Sequence, residues 1–214
     1  MSKNPGTVDE NGILWKSTSV GKLLYAKPEN DTIWKMISKA AMSFTSMNAV
    51  GERAVVEKQI VDGFEKFVMG DYSFITFGEY FGRIESLGSG LAKLPEVTKG
   101  CKVVIYADTQ LLWMLSAFAA WRQGCIVGTI YATLGEEGAL FGINQSESTV
   151  VFADGKLLKV LGNIASKCPN LKRVVVFKAE DMEGDSVAKC KAAGIEVTPL
   201  VELEKMGAEA PQPA

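Results

Sequence analysis

From residue 101 onward, apolar runs of β type begin at Lys102 (KVVIYA), Cys125 (CIVGTIY), Ser148 (STVVFA), Lys172 (KRVVVF) and Ile195 (IEVTP), in steps of 23, 23, 24 and 23 residues. Helical patterns fill the intervals. Their start signals are Asp108, Thr133, Asp154 and Asp185, and stop signals follow at Gly124, Pro169 and Gly194. A strand and a helix alternating at this period make βα units, which require a mostly parallel sheet with helices over it. The runs are almost wholly apolar rather than alternating, as in strands covered on both faces. With right-handed crossovers the layer is a doubly wound α/β sheet over about 101–207.

Upstream the pattern differs. Residues 1–30 hold Pro5, Gly6, Gly12, Gly21 and Pro28 and show weak periodicity, so an irregular arm is expected. Asp31 is placed to cap a helix over 32–43, with Ile33, Trp34, Ile37, Ala40 and Ala41 on one face. Arg53 to Ile60 and Gly63 to Val68 are two Val/Ile/Phe-rich runs joined at Asp62-Gly63, a tight-turn signal for an antiparallel hairpin. Gly70-Asp71 leads into a further extended stretch, Tyr72 to Ile75. Thr76 stands three residues before Glu79, the spacing of a capping box. Phe77, Tyr80, Phe81, Ile84, Leu87 and Leu91 then recur at helical spacing. Gly82, Gly88 and Gly90 fall inside that helix, at a cost of about 1 kcal/mol each against alanine. Close approach to a neighbouring element is the expected compensation. Ala208–Ala214 carries two prolines and no apolar pattern, and reads as a linker or a cut end. The division is therefore an arm at 1–30, one domain at 31–207 and a tail at 208–214.

Composition removes whole classes of chemistry. The 214 residues contain no histidine, which excludes a Ser-His-Asp triad, a Cys-His dyad and any histidine metal site. The formal charge is 23 − 25 = −2 and no basic stripe is present, which argues against a nucleic-acid partner. Cys101, Cys125, Cys168 and Cys190 lie 24, 43 and 22 residues apart. They form no C-x-x-C pair, and four cysteines in a chain of this length fit a reducing, intracellular, cytoplasmic setting. The longest apolar run, Leu111 to Trp121, is about half the ~20 residues that cross a bilayer, so no transmembrane segment is expected. Met1 to Glu10 is polar and is not a signal peptide.

Motif by motif, structural readings outweigh catalytic ones. The first βα turn, Tyr106-Ala107-Asp108-Thr109, has no glycine and lacks the dinucleotide fingerprint. Leu87-Gly88-Ser89-Gly90-Leu91 contains G-x-G but sits within a helical pattern, where close packing is favoured over a phosphate cradle. Gly21-Lys22 and Gly155-Lys156 lack the rest of a P-loop. Glu136-Glu137 falls in the opening turn of a helix capped by Thr133, where negative charge meets the positive helix end. Glu202 and Glu204 are read in the same way, as structural carboxylates. Trp113, Phe118 and Trp121 share a helix and read as core. Arg122 ends that helix, where it complements the carbonyl end ahead of Gly124. Cys101 and Cys125 open consecutive strands as structural thiols. No catalytic, cofactor-binding or metal-ligating residue is assigned.

Several segments taken together resemble a known family. They are Val50-Gly51-Glu52-Arg53, the stretch from Gly70 to Phe77, Leu87-Gly88-Ser89-Gly90-Leu91, Trp113-Met114, Ile130-Tyr131-Ala132-Thr133-Leu134-Gly135 and Asn144-Gln145-Ser146-Glu147. In order and spacing the chain resembles, over about 30–207, the N-terminal part of eukaryotic long-chain acyl-CoA synthetases (long-chain-fatty-acid–CoA ligases) of the adenylate-forming, AMP-binding superfamily. Ala120-Trp121-Arg122-Gln123-Gly124 through Tyr131 falls where that superfamily carries its second core motif. Many relatives have Arg and Glu where this chain has Gln110 and Leu112.

The resemblance implies a partial adenylate-forming domain and a two-step ligase. Fatty acid and ATP would give an acyl-adenylate, and CoA would then displace AMP. ATP, Mg and CoA are implied for the full-length family and none is expected to bind this chain alone. The family's Ser/Thr/Gly-rich phosphate loop, aromatic-Gly-Thr-Glu segment, ribose-binding Asp and C-terminal lysine have no counterpart among these residues. The expectation is a scaffold inactive by itself, whose partner is the missing C-terminal half or a full-length synthetase. The alternative is a non-catalytic binding or regulatory module derived from the family. A fatty acid is named as a partner, and the endoplasmic reticulum or lipid droplets as places of peripheral association, only through the resemblance. A domain lacking its neighbour should also present an orphaned apolar face.

Overall fold

The computed structural model describes residues 32–182 and 184–214, together with the backbone of two short strands. These are β1 (Thr7–Asp9) and β2 (Gly12–Leu14), which pair antiparallel. The irregular arm expected over 1–30 otherwise lies outside the described residues, as does Asp31. Helix α1 (Ile33–Ser43) is capped by Thr32, whose side chain accepts from the Lys35 N–H at 3.1 Å. Within its expected face, Ala41 is buried, Trp34 and Ile37 are half-buried, and Ile33 is exposed.

The hairpin is longer than the sequence suggests. β3 (Asn48–Val61) and β4 (Phe64–Thr76) pair antiparallel along their length, and Tyr72 to Ile75 continues β4 rather than forming a separate segment. Register shifts between Arg53 and Glu57 break the alternation that would have revealed one continuous strand. At the turn, Asp62 has φ 54° and Gly63 φ 80°, the paired positive values of a primed hairpin turn. Thr76 and Glu79 form the expected capping box at the start of α2 (Phe77–Leu91).

The βα layer follows as anticipated. It comprises β5 (Lys102–Tyr106), α3 (Leu111–Arg122), β6 (Ile126–Ile130), α4 (Glu136–Ser146), β7 (Val150–Ala153), α5 (Leu158–Ile164), β8 (Arg173–Val176), α6 (Gly184–Ala192), β9 (Glu196–Pro199) and α7 (Leu200–Glu209). All strand pairs in this sheet are parallel, in the order β6-β5-β7-β8-β9. Three helix starts differ from expectation: α3 is capped at Gln110 rather than Asp108, α4 at Gly135 rather than Thr133, and Asp185 lies within the first turn of α6 rather than ahead of it. Gly124 and Gly194, at φ 66° and 76°, close α3 and α6 in the left-handed conformation that glycine adopts without penalty.

Alternate strand residues feed two cores. Val103, Ile105, Phe152 and Val175 face α2, α3 and α7, which supply Ile84, Leu87, Leu115 and Leu203. Val104, Tyr106, Val151 and Val174 face α4, α5 and α6, which supply Ile143, Leu158, Leu161 and Cys190. Each such large side chain removed from water contributes roughly 1.5–3 kcal/mol, which is why both faces of the sheet must be covered.

Candidate functional site

In an open α/β sheet, ligands settle outside the strand C-termini where connections leave for opposite faces. Here that point lies between β5 and β7. The connection after β5 runs to α3 over the first core, and the one after β7 runs to α5 over the second. Four polar residues meet in the crevice. The Asp154 carboxylate accepts from the Asp108 N–H at 2.8 Å and from the Gln110 side-chain amide at 2.6 Å. Asp108 in turn pairs with Lys156, and that hydrogen bond raises the lysine pKa. The sequence marks Asp108 and Asp154 only as helix-start signals. Their meeting depends on β5 and β7 being neighbours, which no local pattern encodes.

The crevice presents no free cradle for a nucleotide phosphate. Asp108 is paired with Lys156, and Asp154 is held by the Asp108 N–H and the Gln110 amide, which leaves the group with a net charge of −1 and its one ammonium already engaged. Phosphate recognition needs a turn of free N–H groups, and the Asp108 N–H already serves Asp154. Among the described residues no cluster of three or more His, Cys, Asp or Glu side chains has the placement to hold a metal. Nor does any described helix have the length and apolarity to cross a membrane.

Gln110 also borders a second feature, a cleft of about 740 Å³ between the root of the hairpin and the start of α3. Val50, Met69, Phe77, Met114 and Phe118 give it an apolar lining, and Arg53 and Glu52 stand at its border. Tyr80 lies edge-on to Phe118 with ring centroids 6.3 Å apart. Its hydroxyl is buried without a hydrogen-bond partner among the described residues, and burial raises its pKa. Arg53 donates to the Gly70 and Met69 carbonyls at 2.7 and 2.9 Å and lies over the Tyr72 ring, so it is held as part of the hairpin.

The remaining motif residues take structural roles. Leu87-Gly88-Ser89-Gly90-Leu91 lies inside α2. A Cβ on Gly90 would stand 2.0 Å from the Leu203 carbonyl oxygen, and one on Gly88 would stand 2.6 Å from Arg122 Cδ. The third glycine differs, because Gly82 has open space where a Cβ would go. Arg83 grips Glu204 through two hydrogen bonds of 2.9 and 3.1 Å, joining α2 to α7. Glu136 and Glu137 occupy the first turn of α4, where Glu136 accepts from Asn163 at 2.7 Å. Trp113, Phe118 and Trp121 pack against the first core. Cys101 and Cys125 are free thiols with sulfurs 3.4 Å apart, and burial pushes the Cys125 thiol up.

Arg122 lies in the last turn of α3 as expected, but it is turned inward: it is 8% exposed and donates to the Gln212 and Pro213 carbonyls. The reading of the tail needs correction. The stretch 208–214 is not a bare linker, since α7 runs to Glu209 and Gln212 is held against α2 and α3. Apolar side chains are exposed on two parts of the described surface. Val56, Ile60, Phe64, Phe67, Tyr72 and Phe74 of the hairpin are exposed, as are Ile126, Tyr131 and Phe141 beside the sheet edge at β6.

Comparison with known proteins agrees with this architecture. The AMP-binding enzyme family matches residues 51–212. Long chain acyl-CoA synthetase 8 of Arabidopsis thaliana is 28% identical over 181 residues, covering 82% of this chain and 25% of that protein. Long-chain-fatty-acid–CoA ligase 2 of Schizosaccharomyces pombe is 26% identical over 229 residues, covering 99% of this chain and 33% of that protein. The chain therefore spans only a quarter to a third of these relatives' length. Among solved structures, the adenylation domain of a carboxylate reductase from Mycobacterium chelonae superposes with a TM-score of 0.69 at 18% identity, covering 86% of this chain and 30% of that one. A long-chain-fatty-acid-CoA ligase from Archaeoglobus fulgidus gives a TM-score of 0.63 at 20% identity, covering 89% of this chain and 32% of that one. The α/β layer and hairpin correspond to the N-terminal adenylate-forming domain of such structures, the sequence matches fall in the N-terminal region of long-chain acyl-CoA synthetases, and the chain belongs to the AMP-binding enzyme family.

Proposed function

We propose that the chain is the N-terminal scaffold of a long-chain-fatty-acid–CoA ligase and forms no acyl-CoA by itself. One observation carries this reading: 82–99% of the chain aligns with such ligases, yet it accounts for only 25–33% of their length. In a whole ligase of this kind, ATP, fatty acid and CoA become acyl-CoA, AMP and diphosphate, with magnesium balancing the phosphate charge. The crevice supports the scaffold reading because its one lysine is paired with Asp108 and the Asp108 N–H is taken up by Asp154. The apolar cleft and the hairpin's exposed aromatics supply surfaces against which the rest of an enzyme, or a full-length synthetase, would pack. The same reading puts the chain in the cytoplasm, in peripheral association with endoplasmic reticulum or lipid droplets. The test is an acyl-CoA assay on the purified chain with ATP, magnesium, CoA and palmitate. Palmitoyl-CoA should not rise above the protein-free rate; steady turnover proportional to protein refutes the proposal.

A further inference from the structure

A cation in the last turn of a helix normally reaches water while complementing the free carbonyls. Arg122 turns inward instead and is 8% exposed. Its Nη2–H donates to the Gln212 carbonyl at 2.7 Å and its Nη1–H to the Pro213 carbonyl at 3.4 Å. The Nε–H has no acceptor among the described residues. The Trp34 ring of α1 lies 5.5 Å from the guanidinium carbon. Gly88 of α2 leaves the room that the arginine stem fills. Ser89, also on α2, donates to the same Gln212 carbonyl at 3.4 Å.

A buried charge is costly unless its donors are used, and arginine's fork is built to grip two acceptors at once. Two main-chain carbonyls are weaker acceptors than a carboxylate, and both belong to one short segment. Arg122 and that segment therefore depend on each other. Without the segment, a desolvated guanidinium loses its acceptors. Without the guanidinium, residues 211–214, mostly exposed, retain little to hold them.

We propose that Arg122 is a latch that holds residues 210–214 as a strap across α2 and α3, fixing the direction in which the chain leaves the domain. Pro213 and Ala214 lie beside Lys99 and Gly124, where the Gly100 N–H bonds the Gly124 carbonyl and β5 and β6 are about to begin. The strap therefore ends at the N-terminal edge of the sheet, opposite the crevice at the strand C-termini. Any residues that follow start from that remote edge. Trp34 ties α1 to the same latch, so release of the strap is felt at α1. The inference stands on these contacts and is independent of the ligase reading.

NMR on the 15N-labelled 214-residue chain tests it. In the wild type the Gln212 and Ala214 amides should be as ordered as those of α7 by heteronuclear NOE, and Arg122 Nε–H should give a distinct, slowly exchanging signal. Arg122→Ala should make both amides mobile while signals of β5 and β7 stay in place. Arg122→Lys keeps the charge but lacks the fork, and should restore only part of the order. Deleting residues 211–214 attacks the latch from the other side. It should speed Arg122 Nε–H exchange roughly tenfold or more and shift the Trp34 indole signal. Should Arg122→Ala not fold, the deletion decides alone. Mobile Gln212 and Ala214 in the wild type, unchanged order in the arginine variants, or an unchanged Arg122 signal after deletion would each overturn the proposal.

Discussion

Two glycines set how closely α2 and α7 approach. A Cβ at Gly90 would lie 2.0 Å from the Leu203 carbonyl oxygen, and one at Gly207 would lie 1.8 Å from that of Ser86. Backbone cannot swing aside as a side chain can. Gly90→Val should therefore cost about 1–3 kcal/mol, read as a lower urea midpoint at unchanged slope. Gly82 is the internal control, since a Cβ there meets open space. Gly82→Ala should stabilise by about 0.5–1 kcal/mol. The sequence shows that α2 is rich in glycine. Which glycines face a backbone is decided by a helix more than 100 residues further on, and was not legible. Arg122 illustrates the same limit, because its partners Gln212 and Pro213 lie 90 and 91 residues away. Burial also pushes the Cys190 thiol up to about 11. The folded chain thus holds that proton more tightly than the unfolded chain, where the value is about 8.5. The stability it contributes is complete below the unfolded value and is lost as pH rises toward the folded one. The thermal midpoint should fall between roughly pH 8.5 and 11, and less steeply in Cys190→Ala.

Among the elements, α2 is the one whose start was fully readable. Thr76 and Glu79 exchange hydrogen bonds as their three-residue spacing requires. Thr76→Ala should cost about 1 kcal/mol in chemical denaturation. The Thr76 N–H holds the Glu79 carboxyl below its ordinary value. That contribution is present above the unfolded carboxyl pKa and is lost as pH falls through the folded one; the N–H survives in Thr76→Ala, so the penalty of that substitution should shrink in acid only by the share that the Thr76 hydroxyl, which also donates to the carboxylate, supplies. Other boundaries escaped the sequence for definite reasons. Asp108 resembles a cap, but its N–H serves Asp154 and its carboxylate serves Lys156, so α3 begins later, after Gln110. Tyr72 to Ile75 looks separate from the hairpin in the sequence because the register shifts interrupt the period-two pattern on which strand recognition depends.

At the scale of the molecule, the period of 23–24 residues was enough to give a parallel, doubly wound sheet, and the lack of alternation gave coverage on both faces. Strand order was not legible, because the direction of a crossover leaves no mark on residue type. Order is what brings Asp108, Gln110, Asp154 and Lys156 together in one crevice. What the sequence did convey about that crevice was negative: the turn Tyr106-Ala107-Asp108-Thr109 has no glycine with which to cradle phosphate. The geometry adds that the one lysine there is already paired with Asp108 and the Asp108 N–H is already taken by Asp154. Isothermal titration calorimetry of ATP with magnesium into the 214-residue chain examines this without relying on turnover. A scaffold whose crevice is occupied by its own ion pair and hydrogen bonds should give only heats of dilution. A saturable isotherm with a micromolar or tighter Kd would mean that these residues grip the nucleotide after all.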